Sequence, residues 1–497
     1  MTDRRCPLHC HGHDCVSRRT FLRDSTAVLV GTSFLAGCSL LRQDHTASRS
    51  IRQCGPASKC RPMLWSAFVR RQGEYGILWP GAVYDGEAAR TMYTTKLRET
   101  ASMLGAEFNL RQEPIHSLAE AEAWIAQAQA AKADGLVLVM LDRQEHAWPT
   151  AKKVAQSKIP SIVYSPLGTS FTTNTIDLAA SPGCVVYSTD DFHQAAYGLK
   201  MLCAAAKMRR TCCVVIKGNK RYDMALADTG ITLRHVPASA FIEEYNRTPD
   251  SEEILAMAEE YMHRAWHLIA ATRQDVINGL KSYYVAGKFL EREGGDAITM
   301  DCLGALGHLP VSLPCIAWSR MNDDRIPAAC EADYGAVASH VMVQYLFDRP
   351  GFQQDPVADT ADNTIIGAHC CCATRLNGYD KPPEPFNIRH HHGNRDAVPQ
   401  TLWRIGQRVT NIDLLPASET GVGKDGPPST VLISVGTVVA NNDVPPSGGC
   451  VVSVKVRFDS GQEVLSFPGF HQIFFYGDYQ EQVKDFCQLC GFKARVV

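Results

Sequence analysis

The sequence predicts an α/β fold with two doubly wound α/β domains, followed by a C-terminal, antiparallel, β-rich domain that resembles a small barrel. Before residue 350, apolar runs of strand length alternate with segments whose apolar residues recur at helical spacing. After Asp348-Arg349-Pro350-Gly351 the pattern changes to short β runs separated by turns rich in Pro and Gly. A chain of 497 residues also has room for several domains, since one domain usually takes about 100–200 residues.

The predicted domain boundaries follow these changes of pattern. Residues 1–60 form a signal and linker, residues 61–200 and 201–350 form the two α/β domains, and residues 351–497 form the β-rich domain. The continuous apolar run 135–141 predicts a strand that is buried on both faces of a parallel sheet. Sheets of this kind bind ligands at the carboxyl ends of their strands.

The spacing of apolar residues predicts the individual elements in order. Helices are expected over 86–103, 118–131, 150–156, 192–206, most of 251–295, 328–346 and 480–489. Strands of the α/β domains are expected over 106–110, 135–141, 159–164, 211–217 and 297–300, and strands of the β-rich domain over 363–368, 430–439, 449–458 and 474–476. The helix over 328–346 would begin just after Pro327 and carry Glu331 in its first turn.

Composition and charge exclude several classes of protein. Hydrophobic residues make up 45% of the chain and charged residues 21%, which is an ordinary globular mixture. Fifty Lys and Arg against 52 Asp and Glu leave a net charge of −2, so the basic excess of a nucleic-acid-binding protein is missing. After residue 60, the apolar runs fall far short of the ~20 residues needed to span a bilayer. Any link to a membrane is therefore expected at the N-terminus alone.

The N-terminus carries the pattern of an export signal. Ser17-Arg18-Arg19-Thr20-Phe21-Leu22 precedes a weakly apolar run, 27–36, as in signals of the twin-arginine pathway for folded proteins. The following Leu35-Ala36-Gly37-Cys38 resembles a lipobox, in which Cys38 would be lipidated. The alternative is a helix of the folded domain that happens to follow two arginines. The signal predicts a periplasmic protein or a membrane-anchored lipoprotein, and without the signal the protein would be cytoplasmic.

The chain contains 19 cysteines, yet disulfides are not expected to stabilise it. Proteins of the twin-arginine pathway fold before export in a reducing compartment, and a chain of this size has no need of disulfides. Cys370, Cys371 and Cys372 are too crowded to pair easily with one another. The CxxC spacing of Cys487 and Cys490 lies in a helical pattern without a second pair, so no zinc or redox site is predicted there.

Candidate chemical groups gather where the second α/β domain gives way to the β-rich domain. Glu331 lies at the start of a predicted helix, Asp355 in a loop beyond the Pro-Gly break, His369 at the end of a β run, and His471 on the last β segment. Carboxylates and imidazoles gathered from different elements can hold a divalent ion such as Mn²⁺ or Mg²⁺. An acidic residue at a helix start can also serve only as a cap.

Two segments carry a resemblance to a known family. Residues 330–373 read CEADYGAVASHVMVQYLFDRPGFQQDPVADTADNTIIGAHCCCA, and residues 470–492 read FHQIFFYGDYQEQVKDFCQLCGF. They resemble the central segment and the closing strand and helix of the L-fucose/L-arabinose isomerase superfamily, particularly its fucose-isomerase-like branch. The resemblance covers most of residues 62–497 and implies the same order of two α/β parts and a β part. The family commonly forms trimers or hexamers, so a homo-oligomer is expected.

The resemblance implies a metal-dependent interconversion of an aldose and a ketose through a cis-enediol, with a monosaccharide as substrate. Glu331 and Asp355 would be the paired catalytic carboxylates and metal ligands, and His471 would be the third protein ligand. His369 and His391 would contact the substrate, and the cofactor would be a divalent metal, with Mn²⁺ favoured. The small hydroxyl residue and the Pro that the family places after the Gly-x-His-Cys motif are missing here, which leaves the identity of the sugar open.

A second hypothesis belongs to a different class of protein. The chain would then be an exported carbohydrate-binding or sensory lipoprotein on the same scaffold, without turnover. The export signal favours this hypothesis, because aldose–ketose isomerases usually serve cytoplasmic catabolism. The retained Glu331, Asp355 and His471 favour the enzyme, because carboxylates are costly to bury without partners and a simple binding protein has no need of them.

Overall fold

The structure is a computed structural model, which describes residues 51–73, 84–143, 145–391, 395–417, 428–443 and 450–497. The predicted export motif with Arg18 and Arg19 and the predicted lipidation site Cys38 lie outside these residues. Among the described helices, none combines the length and the apolar character that crossing a bilayer requires.

The first α/β unit is a five-stranded parallel sheet in the order β2-β1-β3-β4-β5. Its strands are β1 (Met63–Val69), β2 (Glu107–Leu110), β3 (Gly135–Met140), β4 (Ser161–Ser165) and β5 (Cys184–Ser188), and its helices are α1 (Gly86–Met103), α2 (Leu118–Ala130), α3 (Ala147–Gln156), α4 (Thr172–Ala179) and α5 (Phe192–Met208). Along β3, Val137 packs in the core with α1 and α5, whereas Leu136 and Leu138 pack with α2 and α3. Helices therefore cover both faces of the sheet, which confirms the predicted doubly wound layer.

The second α/β unit repeats this architecture with one antiparallel edge strand. Its sheet has the order β10-β9-β6-β8-β7, in which β7 alone runs antiparallel to its neighbour. The strands are β6 (Cys212–Ile216), β7 (Tyr222–Ala225), β8 (Thr232–Val236), β9 (Ala297–Met300) and β10 (Ala328–Cys330). The helices are α6 (Ala238–Arg247), α7 (Glu252–Arg264), α8 (Arg273–Glu293), α9 (Cys302–Leu306), α10 (Cys315–Asp323) and α11 (Tyr334–Phe347). The parallel sheet and its helices confirm a second α/β layer.

The helix predicted over 328–346 is wrong in its first turn. Residues 328–330 form β10, which is fully buried and pairs in parallel with β9. Glu331 and Ala332 then adopt left-handed backbone angles, with φ of 62° and 53°, and Asp333 is the N-cap of α11. Pairing with a buried neighbour strand outweighs the local helical pattern here. Glu331 therefore lies in a strand-to-helix turn and is not a helix cap.

The C-terminal part contains a closed antiparallel barrel. Its strands follow the order β15-β18-β11-β12-β17-β16, and β15 pairs again with β16 to close the ring. They are β11 (Phe352–Asp359), β12 (Thr364–His369), β15 (Arg408–Leu415), β16 (Thr430–Asn441), β17 (Val452–Phe458) and β18 (Gln472–Tyr476). Outside the ring lie the hairpin β13 (Phe386–His390) and β14 (Ala397–Thr401), the helix α12 (Gln480–Cys490) and the strand β19 (Lys493–Val496). The predicted β-rich, barrel-like part is confirmed, although Asp355 lies on β11 and not in a loop.

Helix α11 connects the second α/β unit to the barrel. It packs on β15 and β18 of the barrel, on β9 and β10 of the second sheet, and on α5 of the first unit. Almost all of its side chains are buried for this reason, and the helix is apolar on nearly every side. Its position holds the turn before it, with Glu331 and Asp333, against the barrel.

Candidate metal and catalytic site

Three neighbouring strands of the barrel bring polar side chains to one rim. In the β11–β12 pair, Asp355 lies opposite Ala368, and in the β11–β18 pair, Gln354 lies opposite Gln472. His369 follows Ala368 in the chain, and His471 precedes Gln472. The strand pairing therefore brings the backbone of His471 next to Asp355 on one side of β11, and that of His369 one residue beyond the partner of Asp355 on the other side.

The second α/β unit brings Glu331 to the same rim. Strand β10 ends at Cys330, whose backbone N–H donates to Oε1 of Gln353 on β11 at 2.8 Å. The left-handed turn after it is held by the Ala332 N–H, which donates to the carbonyl oxygen of Met300 at 2.9 Å. Glu331 thus lies at the carboxyl end of a parallel sheet, where ligands of such sheets usually bind.

The distances show that the predicted site residues converge. Nε2 of His471 lies 3.2 Å from Oδ1 of Asp355 and 3.5 Å from Oε2 of Glu331. Nε2 of His369 lies 3.8 Å from Oε1 of Glu331, and the two imidazole rings are 5.7 Å apart in an edge-on arrangement. One ligand atom each from Glu331, His369 and His471 lies within 4.8 Å of the other two. Two carboxylates and two imidazoles therefore share one small region.

One polar atom at this rim is buried without a hydrogen-bond partner among the described residues, and it is Nε2 of His369. Nε2 of His471, in contrast, contacts the carboxylates of Asp355 at 3.2 Å and Glu331 at 3.5 Å. Buried polar atoms in proteins nearly always have partners, so the His369 nitrogen beside the Glu331 carboxylate indicates a missing group. Imidazole nitrogens and carboxylate oxygens are suitable ligands for a borderline divalent ion such as Mn²⁺. The residues present therefore fit a bound divalent metal.

Asp333 orients His471 from behind. Its Oδ2 lies 2.9 Å from Nδ1 of His471, and its Oδ1 accepts a hydrogen bond from the Ala336 N–H at 2.8 Å. Burial disfavours the charged imidazole, but the carboxylates of Asp333 and Asp355 outweigh burial and raise the pKa of His471 to about 9. Burial likewise opposes ionisation of Asp333, but its hydrogen bond to His471 holds its pKa below the usual value. A carboxylate on one imidazole nitrogen leaves the other directed at a metal.

Sequence reasoning missed the role of Asp333. A signal was present, because an Asp directly before an apolar helical run is typical of an N-cap. The pairing of the same carboxylate with a histidine 138 positions later in the chain is a tertiary contact, which no local pattern shows.

We expect Asp333→Asn to weaken Mn²⁺ binding by about 10–100-fold, because the imidazole loses the carboxylate that fixes its orientation. Isothermal titration of the metal-free protein with Mn²⁺ measures the change. Asp191→Asn is the matched control, since Asp191 is the N-cap of α5, where it accepts a hydrogen bond from the His193 backbone N–H. Equal Mn²⁺ affinities for Asp333→Asn and the wild type would contradict this role.

The predicted substrate residue His391 lies in a different set of contacts. It directly follows β13, and one of its ring nitrogens lies within 4.8 Å of the sulfur atoms of Cys315 and Cys370. Cys370 follows His369 in the chain, so this sulfur-rich group adjoins the carboxylate–imidazole rim. Contact of His391 with a sugar stays a prediction.

The fold and the rim define a protein of mixed α/β and β-barrel architecture, with a carboxylate–imidazole centre suited to a divalent metal. Comparison with known proteins adds no family to this description, because neither a protein-family model nor a curated protein matches the chain.

Proposed function

We propose that the protein is a metal-dependent aldose–ketose isomerase of carbohydrate metabolism, similar to fucose and arabinose isomerases, with a monosaccharide as substrate. The observation that carries this proposal is the placement of two carboxylates from different elements, Glu331 and Asp355, on one imidazole nitrogen of His471. Paired carboxylates at a metal centre suit a reaction that moves protons between adjacent carbon and oxygen atoms.

Glu331, Asp355 and His471 would hold the divalent metal, and the family resemblance favours Mn²⁺. A bound divalent ion supplies Lewis acidity toward the oxygens at C1 and C2 of an open-chain sugar, which makes the C2 proton more acidic. His369 lies beside Glu331 with its Nε2 unpartnered, so it is placed to contact either the metal or a sugar hydroxyl.

The two carboxylates would perform the proton transfers. One of them takes the proton from C2, and the other exchanges protons at the sugar oxygens, so that a cis-enediol forms and collapses to the ketose. The Glu331 and Asp355 side chains are 34% and 30% exposed, so both can be reached from solvent. Nothing is oxidised or reduced overall, and the reaction needs no organic cofactor.

The proposed location of the protein is outside the cytoplasm. Export by the twin-arginine pathway would deliver it to the periplasm, with Cys38 as the lipid anchor if the lipobox is processed. A trimer or hexamer of identical chains is proposed from the family resemblance.

In the test, the full chain is loaded with Mn²⁺ and incubated in D₂O with L-fucose, L-arabinose or D-arabinose. We expect the ketose to form and deuterium to enter the sugar at C1, because the proton taken from C2 by the carboxylate can exchange with D₂O before the enediol is reprotonated. Proton NMR follows both events. Saturable sugar binding in calorimetry, without ketose and without deuterium exchange, would contradict the enzyme and favour the binding or sensory lipoprotein.

A further inference from the structure

A buried sulfur cluster lies directly behind the carboxylate–imidazole rim. Cys315 is the first residue of α10, Cys370 follows β12, and His391 follows β13. The sulfur atoms of the two cysteines and a ring nitrogen of the histidine all lie within 4.8 Å of one another. All three side chains are buried, with at most 8% of each residue exposed. Three segments that are distant in the chain therefore bring two thiols and an imidazole to one point.

Further thiols surround Cys370. The sulfur of Cys330, at the end of β10, lies within 4.8 Å of that of Cys370, as does the sulfur of Cys315. The thiol of Cys450, which lies just before β17, also interacts with the Cys370 thiol. All of these cysteines are free thiols. A buried free cysteine usually packs as a small apolar side chain, as Cys315, Cys330 and Cys370 do in the core of the second α/β unit, but apolar packing does not call for an imidazole nitrogen beside the thiols. A cluster of thiols with an imidazole is instead the donor set of a thiophilic metal.

We propose that Cys315, Cys370 and His391, with Cys450 as the fourth ligand, bind a zinc ion that stabilises the fold. Thiolate sulfur and imidazole nitrogen are the usual ligands of structural Zn²⁺, which prefers four of them in a closed tetrahedron. On binding, the cysteine thiols release their protons to solvent, and no electron is transferred. The two positive charges of Zn²⁺ offset most of the charge of the three thiolates, which would be costly to bury uncompensated.

The two metal sites would differ in chemistry although they share stretches of backbone. His369 lies between them, since its Nε2 is 3.8 Å from Glu331 at the rim and its Nδ1 is 3.7 Å from the sulfur of Cys370. Glu331 belongs to the rim, and the preceding Cys330 lies with Cys370 and His369 on the sulfur side. Oxygen and nitrogen donors at the rim suit Mn²⁺, whereas sulfur donors behind it select zinc. The zinc ion would link α10, the barrel and the β13–β14 hairpin, and so hold in place the backbone of the rim residue His369, which directly precedes the ligand Cys370.

The test measures metal content and coordination in the full chain, produced with both Zn²⁺ and Mn²⁺ and purified without chelator. We expect elemental mass spectrometry to find one zinc ion per chain. Dialysis against EDTA should remove the manganese but leave this zinc bound. X-ray absorption at the zinc edge should show sulfur ligands at ~2.3 Å and nitrogen at ~2.0 Å. Zinc-free protein, or zinc bound by oxygen and nitrogen alone, would overturn the proposal.

Variants assign the ligands and separate this site from the proposed isomerase. Cys315→Ser and His391→Ala should each lose most of the zinc, whereas Cys203→Ser, which changes a buried thiol of α5, should keep it. Glu331→Gln should lose manganese but retain zinc, so failure of the isomerase proposal leaves this result unaffected. If the ligand variants do not fold, the absorption spectrum of the wild type still decides. If the intact mass is two hydrogens lower than that of the reduced chain, with a Cys315–Cys370 disulfide and no zinc, these cysteines form a disulfide and not a metal site.

Discussion

Glu331→Gln is expected to abolish isomerisation, with a loss in kcat/KM of at least about 10³-fold. The amide cannot accept the proton that a carboxylate accepts, and general acid–base groups alone contribute about 10²–10⁴-fold. It is also a weaker ligand for a divalent metal, so binding and proton transfer fail together. The loss should come from the missing carboxylate and not from a change of structure, because Gln has nearly the same shape as Glu and would adopt the same left-handed backbone angles at position 331.

The fold of Glu331→Gln should remain intact. The Glu331 side chain is 34% exposed and its charged contacts are with His369 and His471, so no core packing is removed. Rates of ketose formation, together with circular dichroism and thermal melting of the same samples, separate activity from folding. Glu252→Gln, an exposed position in the first turn of α7, is the control that should keep full activity. Wild-type activity in Glu331→Gln would remove this residue from the reaction.

Much of the α/β fold could be predicted because its strands carry a strong local pattern. β3 is an unbroken apolar run, buried along its whole length, and strands of this kind occur mainly in parallel sheets with helices on both faces. β11 was missed for the opposite reason. Gln353 and Gln354 are fully buried polar residues that form hydrogen bonds to Cys330 and Gln472, so the strand lacks the alternation of apolar and polar residues.

The residue types of the site could be predicted, but their convergence could not be derived from spacing. Asp355 meets His471 because β11 pairs with β18, and His369 lies nearby because β11 also pairs with β12. Pairing between distant segments cannot be predicted from a local sequence pattern. The sulfur cluster was missed for the same reason. Cys315, Cys370 and His391 show none of the short spacings by which zinc sites are recognised in a sequence.

Removing the divalent metal from the rim is expected to destabilise the protein markedly. Without a cation, the carboxylates of Glu331, Asp333 and Asp355 gather around the single imidazole of His471, and the buried Nε2 of His369 lacks a hydrogen-bond partner. A ligand that binds only the folded chain stabilises it by about 2.7 kcal/mol at 100 times its Kd and about 4.1 kcal/mol at 1,000 times. The Tm should therefore rise with the logarithm of the Mn²⁺ concentration once that concentration exceeds the Kd.

Asp355→Asn tests whether this stabilisation comes from the rim. Loss of one carboxylate ligand should move the curve of Tm against Mn²⁺ concentration to Mn²⁺ concentrations at least ~10-fold higher. Even residues that only support metal ligands contribute about 10–100-fold to affinity. Asp359→Asn is the matched control, because Asp359 ends the same strand but pairs with Lys455 at 2.7 Å, away from the rim. Differential scanning calorimetry of metal-free and Mn²⁺-titrated samples gives the curves. If the Tm of the wild type does not change with Mn²⁺ concentration, or if the curve shifts equally in both variants, Asp355 does not hold the metal.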